Sequence, residues 1–309
     1  MKIIKNLKFK TDFGHIAYDK YLPCAPNGVA IQIAHGMVEH KGRYEWLAKS
    51  LAQAGYSVFI NDHRGHGESV RGKIVLGEMG ENGFEKAVED MFALNAIIAE
   101  EFPAYKVVLL GHSMGSLLAR RFLQLGGDKI DALILSGTPS PNRLLGFGVV
   151  LFRILDKLGV HMSPKTGDLL SFNAKFKSLR KDKGDPLKNY WSCSDEEAVK
   201  AYLEDPKCQF RFTPNSFANL FSGMKKVFSP YPHKPANPDL PVLFMSGAED
   251  ICGEFGKGVQ KAYRHLKSQG YENVRLEIFD GARHEIFNEP KKGEYLGLAL
   301  KWLEENRLA

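Results

Sequence analysis

A serine hydroxyl becomes a nucleophile when a base stands ready to take its proton, and one stretch of the chain has the form such a serine needs. Gly111-His112-Ser113-Met114-Gly115 closes the apolar run Val107-Val108-Leu109-Leu110, and apolar residues then recur at Met114, Leu117, Leu118, Phe122 and Leu125. The run reads as a buried strand and the recurrence as a helix, so Ser113 falls on a sharp strand-to-helix turn. Two glycines serve that turn sterically. The serine is held in strained dihedrals, and flanking side chains would collide with the neighbouring strand and helix. The helix N-terminus behind it offers backbone N–H groups to developing negative charge. Gly-x-Ser-x-Gly alone is a common string; its setting makes Ser113 a candidate nucleophile.

In open parallel sheets, catalytic groups gather at the carboxyl ends of strands, and this rule selects an acid and a base. Gly247-Ala248-Glu249-Asp250 follows the apolar run 241–246, and Asp280-Gly281-Ala282-Arg283-His284 follows the run 274–279. The order Ser113, Asp250, His284 is the one expected when the strained turn comes first and the histidine last. His284 is suited to take the serine proton near neutral pH, and Asp250 to fix its tautomer and stabilise the imidazolium. Among rivals, His112 points the wrong way for a base and is expected as a packed wall residue. His233 and His265 are expected to be solvated. Glu249 and Asp280 compete as the acid; Asp250 is preferred as lying further out on its loop, where reach is easier. The loop His35-Gly36-Met37 follows the first buried strand, so the backbone N–H groups of Met37 and Met114 are the candidate oxyanion donors.

These residues need a scaffold, and the chain alternates strand and helix in the required way. Residues 5–22 alternate polar and apolar around a break at Asp12-Phe13-Gly14-His15, an antiparallel hairpin at a sheet edge. Strands are expected at 29–34, 56–60, 107–110, 132–135, 241–246 and 274–279. Helices fall between them, one opened by Asn82 with Glu85 as a capping pair, and another carries Tyr295, Leu298, Trp302 and Leu303 near the end. This is an α/β chain with a mostly parallel eight-stranded sheet flanked by helices. The rhythm breaks near Pro139 and resumes after Pro230, Pro232, Pro235 and Pro238. The expected division is a core of 1–139 and 237–309 with a helical cap, 140–236, inserted after the sixth strand.

Composition narrows the partners. A net charge of +6 is modest and spread along the chain, which argues against nucleic acid. Cys24, Cys193, Cys208 and Cys252 form no C-x-x-C pair and show no metal spacing, so neither metal nor cofactor is expected and the thiols read as reduced. No signal core or membrane-spanning run is present, giving the expectation of a soluble cytoplasmic protein. Within the insertion, Leu144 to Leu158 is apolar on nearly every side. Such a helix either packs all round or lines an acyl channel, with Phe152 and Leu155 as candidate substrate contacts, and transient contact with a lipid surface is a further expectation. Lys175, Lys177, Arg180, Lys181 and Lys183 read as a solvated face.

Taken together, these residues resemble the α/β-hydrolase superfamily. His35-Gly36-Met37-Val38-Glu39-His40 with Arg43-Tyr44, Asp62-His63-Arg64-Gly65-His66-Gly67-Glu68-Ser69 and Gly111 to Gly115 are similar to the monoacylglycerol lipase and bacterial lysophospholipase group. Gly247 to Asp250 and Arg283-His284-Glu285 fit the same group. In the insertion, Trp191, Tyr202, Asp205-Pro206, Cys208 and Phe210 to Thr213 resemble the cap of the lysophospholipase-like branch. Val38 departs from the group, many of whose members carry a small residue there. The resemblance implies a cofactor-free ester hydrolase taking a small-molecule or lipid-like monoester through an acyl-enzyme. An aminopeptidase or amidase on the same fold, and a non-catalytic binding protein that kept the fold, are the alternatives. Glu39, His40, Arg43 and Tyr44, with Asp62, Arg64 and Ser69, read as buried polar scaffold holding the two loops rigid.

Overall fold

Polar–apolar alternation at the start of the chain produces a hairpin of β1 (Lys2–Thr11) and β2 (Gly14–Leu22), in register from Lys2 opposite Leu22 to Thr11 opposite Gly14. In the computed structural model, which describes residues 1–70, 76–140, 145–160 and 191–309, this hairpin forms one edge of the sheet. Six further strands follow: β3 (Val29–Ala34), β4 (Ser57–Asn61), β5 (Lys106–His112), β6 (Ala132–Ser136), β7 (Val242–Gly247) and β8 (Val274–Phe279). The order is β1-β2-β4-β3-β5-β6-β7-β8. β2 meets β1 and β4 antiparallel, and all other pairs are parallel.

Strands covered on both faces must be apolar on both, and β3, β4, β6 and β7 are buried throughout. Their alternate residues divide the core. Ala30, Phe59, Leu109, Leu133 and Phe244 face α2 (Gly83–Glu101), α3 (Met114–Gly126) and a later helix, Lys257–Ser268. Ile31, Val58, Val108, Ile134 and Leu243 face α1 (Glu45–Gln53) and the last helix, Lys292–Glu305.

Between β6 and β7 the described elements are helical: α4 (Leu145–Lys157), α5 (Glu196–Glu204) and α6 (Pro214–Val227). The two helices completing the numbering are α7 (Lys257–Ser268) and α8 (Lys292–Glu305). Asp195 caps α5 by accepting from Ala198 N–H at 3.0 Å, and Thr213 caps α6 by accepting from Ser216 N–H at 3.1 Å. Pro214 opens α6, where its missing N–H costs nothing. α6 packs directly on α2: a Cβ at Gly223 would lie 2.3 Å from the Phe84 ring. Phe217, Leu220 and Met224 thereby join the same apolar cluster as the sheet. Among the described residues, no helix is long and apolar enough to cross a membrane.

Two local expectations need correction. Asn82 does not cap α2 through its side chain. It adopts a left-handed backbone (φ +52°), and Glu85 pairs instead with Arg121 of α3. Nor is α4 buried all round. Phe152 is 1% exposed, stacked on Phe217 with ring centroids 4.9 Å apart, whereas Phe147 and Val150 are 69% and 57% exposed. Leu144 and the five basic residues from Lys175 to Lys183 lie outside the described residues.

Candidate active site

β5 ends at His112 and α3 begins at Met114, leaving Ser113 alone to make the turn at φ +52° and ψ −117°. The glycine requirement is measurable. A Cβ on Gly111 would stand 2.4 Å from the Gly115 carbonyl oxygen, and one on Gly115 would stand 2.0 Å from that of Ala34. Ser113 N–H donates to Ser136 O of β6 at 2.9 Å, tying the strained residue to the next strand.

The carboxyl ends of β7 and β8 bring Asp250 and His284 to this turn. Ser113 Oγ donates to His284 Nε2 at 2.8 Å, and His284 Nδ1 donates to Asp250 Oδ1 at 3.0 Å. That order fixes the tautomer with its lone pair toward the serine. Asp250 is fully buried rather than out on its loop, so packing and donors, not reach, select it. Its carboxylate accepts from Cys252 N–H (2.8 Å), Gly253 N–H (3.2 Å) and Ser246 Oγ (3.1 Å). Glu249 turns away to Arg283, and Asp280 is exposed. The His284 ring lies between His112 (centroids 4.8 Å apart) and Trp191 (5.5 Å), which makes His112 a wall of the site.

Met37 follows β3 and Met114 is the first residue of α3, where the N–H has no intrahelical acceptor. A carboxylate anchors the Met37 loop: Glu39 Oε1 accepts from Gly36 N–H and from Tyr44 Oη (2.7 Å), and Oε2 accepts from Arg43 Nη1 (2.6 Å). Arg43 also makes a fork onto Glu285, at 3.1 and 2.7 Å, directly after His284. One guanidinium thus joins the loops carrying the candidate oxyanion donor and the base. Its flat face lies 4.7 Å from the centre of the Tyr202 ring on α5. Tyr202 Oη donates to Val38 O at 3.0 Å, and Val38 is left-handed (φ +58°), an unusual state for a β-branched residue.

The neighbouring loop is scaffold of the same kind. Asp62 accepts from Lys41 and Glu68 N–H, Arg64 forks onto Asp90, and Ser69 Oγ accepts from Ala17 N–H. His40 departs from its expected place among the buried groups: its Nε2 reaches across to Asp205 at 2.7 Å. Sequence reasoning passed over Ser246 and Glu289. Glu289 accepts from Arg283 N–H and Ser194 N–H, so it joins the base loop to the stretch before α5. An acid five residues past the candidate base was the available signal.

The model of the serine aminopeptidase S33 family matches residues 25–291. The chain belongs to this family of α/β hydrolases. It is 30% identical over 292 residues to a monoacylglycerol lipase from Mycolicibacterium smegmatis, spanning 93% of this chain and 92% of that protein. It is 25% identical over 279 residues to phospholipase YtpA from Bacillus subtilis, spanning 89% and 95%. A lipase solved in an open form superposes with a TM-score of 0.84 at 25% identity, covering 99% of both chains.

The electrostatics of this S33 hydrolase set the two candidate proton-handling groups apart. Burial alone would favour a neutral His284, but the Asp250 carboxylate outweighs it and holds the imidazole pKa well above 6.5. Burial likewise works against the Asp250 charge, and His284 with the surrounding donors outweighs it, leaving that carboxyl below its usual value. Burial pushes the Cys252 thiol up, so it stays protonated beside the ring. His112, driven down to about 4 by burial and then by the charge of His284, stays neutral. One further group has metal-ligating types: the donor atoms of His40, Asp205 and Cys208 lie within 4.8 Å of one another. There, His40 Nδ1 accepts from Gly42 N–H at 3.1 Å, so Nε2 carries the proton toward Asp205 and presents no lone pair to a cation.

Proposed function

We propose that this hydrolase cleaves lipid-like carboxylic monoesters, of monoacylglycerol or lysophospholipid type, through an acyl-enzyme on Ser113. The reading is carried by the hydrogen-bonded line from Ser113 Oγ through His284 to Asp250, set on a turn that holds the serine at positive φ. In this reaction Ser113 Oγ attacks the ester carbonyl as His284 Nε2 takes its proton. The tetrahedral oxyanion is held by the N–H groups of Met37 and Met114. Its collapse expels the alcohol, which receives the proton from His284. Water then attacks the acyl-enzyme with His284 again as base, releasing the carboxylic acid and the serine.

The lipid part of the reading is supported by relatives named for monoacylglycerol and phospholipid hydrolysis. We take 140–236 as a cap over a core of 1–139 and 237–309, in a cytoplasmic setting suited to four free thiols. Phe152 is stacked among Phe217 and Phe221, which supports a packing role for it over acyl contact, while Leu155 borders the same cluster. An aminopeptidase needs an acid for the substrate amine. Near Ser113, Glu39 and Glu285 are both engaged by Arg43, and Asp205 by His40, which favours the ester.

The test joins a fluorophosphonate probe to a substrate panel. Ser113 should be the labelled residue, and long-chain monoacylglycerols or lysophospholipids should be hydrolysed faster than acetyl esters and aminoacyl amides. Labelling without lipid-ester turnover would remove the substrate reading; absence of labelling would remove the mechanism.

A further inference from the structure

Two arginines sit side by side on α3 and meet opposite fates. Arg121 pairs with Glu85. Arg120, seven residues beyond Ser113, turns toward α7 and is 0% exposed. Among the described residues no carboxylate pairs with it. Its Nη2 donates to His265 Nδ1 at 2.9 Å, and its guanidinium carbon lies 4.5 Å from the centre of the Phe228 ring. The one further polar group facing the guanidinium is the hydroxyl of Tyr231, a single oxygen; Arg120 Nε and Nη1 and that hydroxyl are buried with no well-formed hydrogen bond, so the donors outnumber the acceptor.

A guanidinium stays charged even when buried, and a lone buried charge is expensive unless it is paired. The neighbours do not supply the missing charge. His265 acts as an acceptor at Nδ1 and is neutral, its pKa pushed down to about 4 by burial and then by Arg120. What converges here is one full positive charge and an excess of hydrogen-bond donors over acceptors. Water accepts from such donors but brings two hydrogens that need acceptors of their own. An anion accepts from all of them and cancels the charge.

We propose that Arg120 and Tyr231 form a closed binding site for a small monovalent anion of the halide class. The orphan atoms are shut from solvent, which favours a weakly hydrated anion over a phosphate with its higher desolvation cost. The site lies where the segment Phe228–Tyr231, leaving α6 on its way to β7, rests against α3 and α7. The bound anion therefore pins the returning end of the insertion to the helix that carries Ser113. It acts on stability and takes no part in the reaction.

Bromide is the probe, because it is seen directly by anomalous scattering. Crystals grown in sodium bromide should show an anomalous peak within hydrogen-bond reach of Arg120 and Tyr231. In solution, melting temperature should rise by about 4 °C from millimolar to several hundred millimolar bromide, with gluconate holding ionic strength constant. Tyr231→Phe should reduce that rise and Arg120→Met abolish it, while general salt effects would move all three proteins alike. If Arg120→Met does not fold, the peak and the Tyr231→Phe response decide the matter. No peak, together with equal melting in bromide and gluconate, would overturn the site and leave the charge to water and the Phe228 ring.

Discussion

Asp250 keeps its charge where water does not reach it, and the consequence is legible in His284. Because the carboxylate raises the imidazole pKa, His284 is protonated at low pH, and in the proposed reaction it becomes a base only as pH rises through that raised value. The rate constant kcat/KM should therefore climb with pH along a limb whose midpoint lies above 6.5. Asp250→Asn removes the pull, so the limb should move to lower pH while the maximum falls by about three to four orders of magnitude. A limb that stays in place would show that another group governs it. Ser113→Ala should cost about three to six orders at every pH, measured on protein with an unchanged melting temperature. Ser113, Asp250 and His284, the candidates that strand ends, chain order and proton chemistry point to in the sequence, are brought into one hydrogen-bonded line. Reach does not separate Asp250 from Glu249, since Asp250 is fully buried. Which carboxylate turns inward depends on Ser246 Oγ and two loop N–H groups, and no local pattern records their convergence.

At the scale of elements, the loop after β3 is held from two sides. Glu39 and Arg43 fix it to the base loop, and α5 reaches it through Tyr202 Oη on the Val38 carbonyl. Tyr202→Phe keeps the ring over Arg43 but deletes that bond to a strained residue beside Met37. It should lower kcat by up to about tenfold with little change in KM, the signature of a loop that matters most when the oxyanion forms. A change in KM alone would place Tyr202 in substrate binding instead. Phe152 belongs to another element with another role. Phe152→Ala should cost about 3–5 kcal/mol of stability, read by denaturant unfolding, and slow acetyl, octanoyl and palmitoyl esters alike. Selective loss on the long chains would return it to the acyl site. The six strands from β3 to β8 could be read from the sequence because parallel strands are short, apolar and bounded by turns, and β1 and β2 from their polar–apolar alternation. The faces of α4 could not. Its apolar residues encircle the helix, and only the position of α6 decides that Phe152 turns inward and Phe147 outward. Asn82 misled for a related reason: the capping pattern was present, but Arg121 claimed Glu85.

Across the whole molecule, the histidines make the fold acid-sensitive. His35, His63 and His66 are packed against one another beneath the candidate oxyanion loop, with ring centroids 4.2 to 6.3 Å apart. Burial, then mutual repulsion, lowers His35 well below 6.5 and His63 to about 3; burial brings His66 to about 4. His112 and His265 are held near the same level, each at about 4. For all five the unfolded chain binds a proton more readily than the folded one. Their contribution is therefore complete above the free value of 6.5 and is lost as pH falls below it toward the folded values. His284 has the opposite sign: its raised pKa gives stability that is full below 6.5 and fades as pH rises through the folded value. Five groups outweigh one on the acid side. Glu285 does not titrate in this range, because Arg43 overrides the effect of burial and holds it down to about 2. Melting temperature should therefore fall steeply between about pH 7 and pH 5, as the folded chain comes to hold fewer protons than the unfolded one at these imidazoles. Calorimetry across that range checks it. His66→Phe retains the ring contacts with Phe210 and Phe212 but removes one titrating group, so its curve should fall less steeply than that of the unaltered protein, whatever its starting stability. Equal slopes would show that the buried imidazoles are not what acid attacks.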